Sequence, residues 1–133
     1  MPVRSSRDMV QAALAEVHTL SATEAAALHG QPQVLFVDLR EPAELAREGQ
    51  IPGAALAPRG LLEFWVDPAS EWHRKQFSEP GVQLVLYCAL GWRSALAAQT
   101  LQHMGVDRVS HVGGGFSAWK AAGAPVQDPP CKP

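Results

Sequence analysis

The sequence predicts an α/β fold: a mostly parallel sheet of about five strands with helices on both faces. Three observations carry this. Short apolar runs such as Val34-Leu35-Phe36-Val37 and Gln83 to Tyr87 read as strands buried on both faces. Stretches of helical periodicity separate these runs. The chain, at 133 residues and 47% hydrophobic, is sized for one domain with a sizeable core.

Taken in order, Val10, Ala13, Leu14 and Val17 have helical spacing, which predicts an amphipathic helix over Met9–Val17. Thr19-Leu20 is a short strand. Ser21-Ala22-Thr23-Glu24 is a capping box opening a helix that Gly30 stops. Val34–Val37 is the next strand and ends at Asp38; Pro42 then starts a helix through Arg47. Gly49 to Ala54 is a turn into a strand at Ala55-Leu56. Residues 58–79 are the least regular: a helix covering Leu61, Leu62 and Trp65, a break at Asp67-Pro68, and a second short helix over Ser70–Phe77. Gln83–Tyr87 is a strand, Arg93–Met104 a helix with Gly105 as its C-cap, and Arg108–Val112 the last strand. Gly113-Gly114-Gly115 opens a final helix to Ala122. Residues 1–17 are expected to form a helical extension, 18–127 the domain, and 128–133 a flexible tail.

Bulk properties exclude several function classes. The formal charge of −2 gives no basic surplus for nucleic acid. No apolar run approaches the ~20 residues of a bilayer span, and the polar N-terminus does not read as a signal peptide. Two cysteines do not make a disulfide scaffold. A cytoplasmic protein in a reducing compartment is the expectation. The five histidines show no zinc-ligand spacing, and neither a metal nor a cofactor is implied.

Asp38 and Cys88 both fall at the carboxyl ends of strands, where α/β sheets bind ligands. The stretch Cys88-Ala89-Leu90-Gly91-Trp92-Arg93-Ser94 joins a strand to a helix. A lone cysteine there packs as a small hydrophobe more often than it reacts. The combination reverses that reading. Free N–H groups at the helix start, a turn that can aim amides inward, Gly91 to permit it, and the cation of Arg93 together favour a thiolate that attacks or carries an anion.

The same residues resemble the active-site loop of single-domain rhodaneses, C-x-x-G-x-R-S. Val37-Asp38-Leu39-Arg40-Glu41-Pro42-Ala43-Glu44-Leu45, Gly49-Gln50-Ile51-Pro52-Gly53-Ala54 and Val112-Gly113-Gly114-Gly115-Phe116-Ser117-Ala118-Trp119 resemble further signatures of that family, with Gln50 where histidine is usual. The resemblance runs from about Ser21 to Val126 and implies a rhodanese-like three-layer fold. It implies sulfur transfer: Cys88 takes the sulfane sulfur of thiosulfate or a similar donor, holds it as a persulfide, and passes it to cyanide or a thiol. Ala89, Leu90, Gly91, Trp92, Arg93 and Ser94 would bind the substrate, Arg93 at the sulfonate end, with Ser94 also capping the helix. Asp38, Arg40 and Glu44 would support the site, Asp38 by accepting loop N–H groups and Arg40 by pairing with Glu44. A sulfur-relay protein is a further candidate partner.

Two other readings stand beside it. Rhodanese-like domains also serve as non-catalytic binding or regulatory modules. Related phosphatases and arsenate reductases use a Cys-x5-Arg loop, one residue longer than the Cys-x4-Arg interval from Cys88 to Arg93. Trp92 is expected at the pocket rim, sharing an apolar wall with Leu61–Trp72, while Trp119 is expected in the core and Cys131 as a bystander in the tail.

Overall fold

The computed structural model describes residues 2–129. Five strands form one sheet: β1 (His18–Leu20), β2 (Val34–Asp38), β3 (Ala55–Leu56), β4 (Gln83–Tyr87) and β5 (Val109–Val112). They run in the order β1-β5-β4-β2-β3, and every pairing is parallel. From β2 the chain steps outward to β3 and then returns to β4 on the other side of β2. This reversal opens a crevice beyond the carboxyl ends of β2 and β4, the place where such sheets bind ligands. Register pairs Asp38 with Tyr87, so Cys88 emerges at that crevice.

Six helices cover the sheet: α1 (Ser6–Glu16), α2 (Ala22–Leu28), α3 (Pro42–Glu48), α4 (Leu62–Val66), α5 (Trp92–His103) and α6 (Gly115–Ala121). Because strand side chains alternate, the sheet feeds two cores. On one face Val37, Leu84 and Leu86 pack with Leu62 and with Ala97, Ala98 and Leu101 of α5. On the other, Phe36, Val85, Tyr87 and Val112 pack with Phe116 and Trp119 of α6. Trp119 is fully buried and its indole N–H donates to the Pro125 carbonyl at 2.6 Å, so no polar atom of the ring is stranded.

The capping box at Ser21 and Glu24 forms, with both reciprocal bonds present. Helix α1 starts three residues before Met9 because Ser5 Oγ accepts the Asp8 N–H at 3.0 Å. The helix expected over Ser70–Phe77 is not formed; only a 3-10 turn at Lys75–Phe77 appears. Asp67 Oδ1 accepts the Ala69 N–H and Ser70 Oγ the Trp72 N–H, and these local bonds take backbone donors that a helix would need. Gln50 and Gln127 form an antiparallel bridge that ties the chain's end to the β2–β3 connection. The tail expected from residue 128 falls mainly outside the described residues, as does Cys131.

At the end of β2, Arg40 folds back on Asp38. Its Nε and Nη2 donate to the two carboxylate oxygens at 3.0 and 2.7 Å, and Nη2 also reaches the Gly49 carbonyl. Neither side chain is exposed. The guanidinium lies 4.3 Å over the Phe116 ring, which joins this pair to α6. Losing one partner strands a charge without water. Arg40→Met is therefore expected to cost roughly 3–5 kcal/mol in urea unfolding, and adding Asp38→Leu to recover part of that loss.

Candidate active site

The site begins where β4 stops. Gly91, at φ +96°, is the N-cap of α5 and turns the chain from Cys88 into the helix. That conformation is costly for any residue with a side chain. It brings the Gly91 N–H to 3.2 Å and the Ser94 N–H to 3.4 Å from Cys88 Sγ. Two backbone donors thus converge on one sulfur atom, at the positive end of a twelve-residue helix. The cysteine is 1% exposed.

The loop is held from behind by the turn after β5. Phe116 N–H donates to the Cys88 carbonyl at 2.8 Å and Ser117 N–H to the Ala89 carbonyl at 3.2 Å. These bonds draw both carbonyls away from the sulfur. Gly115 lies so close that a Cβ there would stand 2.5 Å from the Cys88 carbonyl oxygen and 2.6 Å from that of Ala89. The glycine motif after β5 is therefore part of the site, although it lies far from the thiol in sequence.

Ser94 does not cap α5. It is the third residue of the helix, too far in for the capping role, and fully buried. Its Oγ stands 3.6 Å from Cys88 Sγ and 2.9 Å from His111 Nδ1. His111 Nε2 is 2.8 Å from Thr19 Oγ1. Burial, aided by the nearby His18, holds His111 down at about 4, so the ring is neutral at neutral pH. Sequence reading found no metal-ligand spacing among the histidines and did not single out His111. The available signal was a pair of polar residues, Ser110 and His111, in a short strand leading to the glycine turn.

The ion pairs differ from expectation. Arg40 does not pair with Glu44: it is committed to Asp38, two residues away and equally buried. Asp38 accepts one loop N–H, that of Arg40 itself at 3.0 Å, rather than several. Glu44 instead receives Arg93, whose Nη1 and Nη2 donate to its two oxygens at 2.8 and 2.9 Å. The Arg93 hydrogen bonds, with further help from the Glu41 N–H and the Arg40 charge, pull the Glu44 carboxyl down to about 2 against the opposing effect of burial. Arg93 is thus aimed by α3 while its side chain stays 39% exposed.

Ala89 and Leu90 complete the turn, with Leu90 half exposed at its outer edge. Trp92 is exposed, as expected at a rim, but the groove it lines is formed with α1 rather than with Leu61–Trp72. Arg7, Val10 and Leu14 face Trp92, Arg93 and Leu96 across about 640 Å³. Trp72 packs edge-on against Phe64, 6.2 Å between centroids.

Comparison with known proteins identifies the family. The family model of the rhodanese-like domain matches residues 21–122. A sulfurtransferase of Allochromatium vinosum is 36% identical over 96 residues, 72% of this chain and 80% of that protein. An uncharacterized protein of Synechocystis is 37% identical over 99 residues, and the match spans 74% of this chain but only half of that protein. A solved structure from Rhodopseudomonas palustris, of unknown function and termed a possible tyrosine phosphatase, is 45% identical with a TM-score of 0.89, over 96% of this chain and 99% of that one.

Two expectations follow from the geometry. In Gly115→Ala the loop must shift, and reaction of Cys88 with iodoacetamide is expected to change while the unfolding free energy falls by more than about 1 kcal/mol. The Glu44 carboxyl is depressed, so its stabilisation is present above the ordinary carboxylate range and is lost as pH falls toward 2. Because Arg93 is solvated, the discounted size is about 1 kcal/mol. Urea unfolding of wild type and Glu44→Gln is expected to differ by that amount near neutrality and to converge at the acid end.

Proposed function

The chain belongs to the rhodanese-like domain family, and from that premise we propose that it is a sulfurtransferase that carries sulfane sulfur on Cys88, with thiosulfate or a similar anion as donor. The carrying observation is the single sulfur atom that receives two backbone N–H groups inside a Cys-x4-Arg loop.

The chemistry follows. The Cys88 thiolate attacks the outer sulfur of thiosulfate; the S–S bond of the donor breaks and sulfite leaves with the bonding electron pair. Cys88 then holds a persulfide whose terminal sulfur keeps the negative charge. Cyanide or a thiolate attacks that sulfur, leaves as thiocyanate or a new persulfide, and returns Cys88 as thiolate. Two half-reactions through a covalent intermediate give ping-pong kinetics. The amides of residues 89–94 serve as fixed dipoles for the persulfide anion, ready before the charge arrives. Arg93 serves the sulfonate end of the donor, its fork oriented by Glu44. Asp38, Arg40 and Glu44 act as scaffold.

The interval between cysteine and arginine favours sulfur over phosphate. A ring one residue shorter than Cys-x5-Arg suits a single sulfur atom rather than a tetrahedral phosphoryl group. The test is intact-mass spectrometry after incubation with thiosulfate. Wild type is expected to gain the mass of one sulfur atom, to lose it on addition of cyanide, and to show no gain as Cys88→Ala. The absence of any adduct on wild type would sink the reading. Hydrolysis of an aryl phosphate by wild type but not by Cys88→Ala would replace it with the phosphatase reading.

A further inference from the structure

Enclosing the thiol leaves a question that the sulfur chemistry does not answer. The sulfur cycle begins and ends on the thiolate, so a resting Cys88 thiol must first lose its proton, yet the residue is 1% exposed and Ser94 behind it is not exposed at all. One continuous polar path leads out. It runs from Cys88 Sγ to Ser94 Oγ (3.6 Å), to His111 Nδ1 (2.9 Å), and from His111 Nε2 to Thr19 Oγ1 (2.8 Å). Thr19 is exposed on β1, the strand at the sheet edge. The β1–β5 register sets its last link by placing Thr19 directly beside His111.

We infer that Ser94, His111 and Thr19 form a hydroxyl–imidazole–hydroxyl relay that conducts the Cys88 proton to solvent at the sheet edge as the resting thiol is ionised for reaction. The thiol proton passes to Ser94 Oγ as the Ser94 hydroxyl proton passes to His111 Nδ1. The proton on His111 Nε2 passes to Thr19 Oγ1, and the Thr19 hydroxyl proton goes to water. One proton leaves and the sulfur becomes anionic. Ser94, His111 and Thr19 each keep their charge; only the imidazole tautomer and the hydroxyl directions invert. Ser94 finishes by donating to the sulfur anion, the state the persulfide also needs.

The surroundings fit the part. A neutral imidazole has one donor and one acceptor nitrogen, and a hydroxyl can satisfy either. Both tautomers are therefore fully bonded here, which a relay requires and a purely structural histidine does not. His111 is held down at about 4, so it does not store the proton. It is faced by Ser94 from α5 and Thr19 from β1, and the titratable group that bears on it is His18, also on β1. His111 and Thr19 act through Ser94 and are positioning residues.

The inference rests on the proposed function only in taking Cys88 as the reacting group. Alkylation of Cys88 by iodoacetamide, which needs no sulfur donor, tests it separately: a protein that forms no persulfide can still pass, and one that does can still fail. Rates are measured at fixed pH in mixtures of H2O and D2O. Wild type is expected to be slower in D2O with a bowed dependence on deuterium fraction, the mark of several protons in flight. His111→Gln and Ser94→Ala are expected to lose on the order of a hundredfold in rate, the low end of positioned acid–base effects, together with the bowing. Should the buried variants fail to fold, Thr19→Val at the exposed edge is expected to lose the bowing and Thr19→Ser to restore it. Rates within about twofold of wild type in Thr19→Val with bowing intact would overturn the relay, as would an unbowed wild type or equal losses in Thr19→Ser and Thr19→Val.

Discussion

The approach of the Gly115 backbone to the carbonyls of Cys88 and Ala89 is the constraint on which the site depends. An amide surface can face an anion only if the carbonyls of the same residues face elsewhere. Phe116 and Ser117 take those carbonyls as acceptors, so the loop's polarity is sorted by a segment that comes more than twenty residues later in the chain. Gly91 makes the complementary turn at φ +96°, and its own Cβ position would lie 3.1 Å from the Gly114 nitrogen. Two glycine turns, one after β4 and one after β5, therefore pack backbone against backbone. Parallel pairing of β4 with β5 puts both turns at the same end of the sheet, so the strand register is what makes this contact available.

Around this frame the charges are divided. A carboxylate at the end of β2, next to the strand that delivers the thiol, would oppose a sulfur anion if left bare. Asp38 is instead neutralised by Arg40 in a closed, bidentate pair stacked on Phe116, and the pair contributes no net charge. Glu44 and Arg93 form the second pair, with the arginine partly in solvent. Glu44 holds the Arg93 guanidinium oriented at the mouth of the loop, and any anion drawn to it would compete with one carboxylate for its donors. The sealed pair holds the frame, and the open pair is the one that can exchange partners. Trp92 and Arg93 also edge the groove against α1, so the helix preceding the family-matched region borders the approach to the loop.

Much of this was legible in the sequence, for identifiable reasons. Strands β2 and β4 announce themselves because burial on both faces removes polar residues, and Asp38 and Cys88 mark their ends. The capping box at Ser21 and the cysteine loop are local patterns, and local patterns survive in sequence. The partners of long charged side chains did not. Arg40 and Arg93 are both within reach of Glu44 on any sketch of the loop, and the closure of Arg40 onto buried Asp38 leaves Glu44 to Arg93. Ser94 sits where a capping residue and a buried contact are indistinguishable until the helix start is fixed at Trp92. His111 was invisible as a site residue because its significance lies in two contacts, to α5 and to β1, that span 17 and 92 residues.

Burial of the sulfur has two consequences that pull in opposite directions. Excluding water strengthens each N–H dipole acting on the anion, since a low local dielectric magnifies fixed charges. The same exclusion removes the solvent that would ordinarily accept the thiol proton. A side chain with its own charge, placed against the sulfur to accept that proton, would be costly to bury and would alter the field the amides supply. A neutral imidazole set one hydroxyl away avoids both costs: it keeps the sulfur's surroundings uncharged while linking them to the surface. The loop at the crevice and Thr19 at the sheet edge then lie on the same side of the strands, two strands apart. The β1–β5 pairing, which reads as a peripheral part of the fold, joins the two.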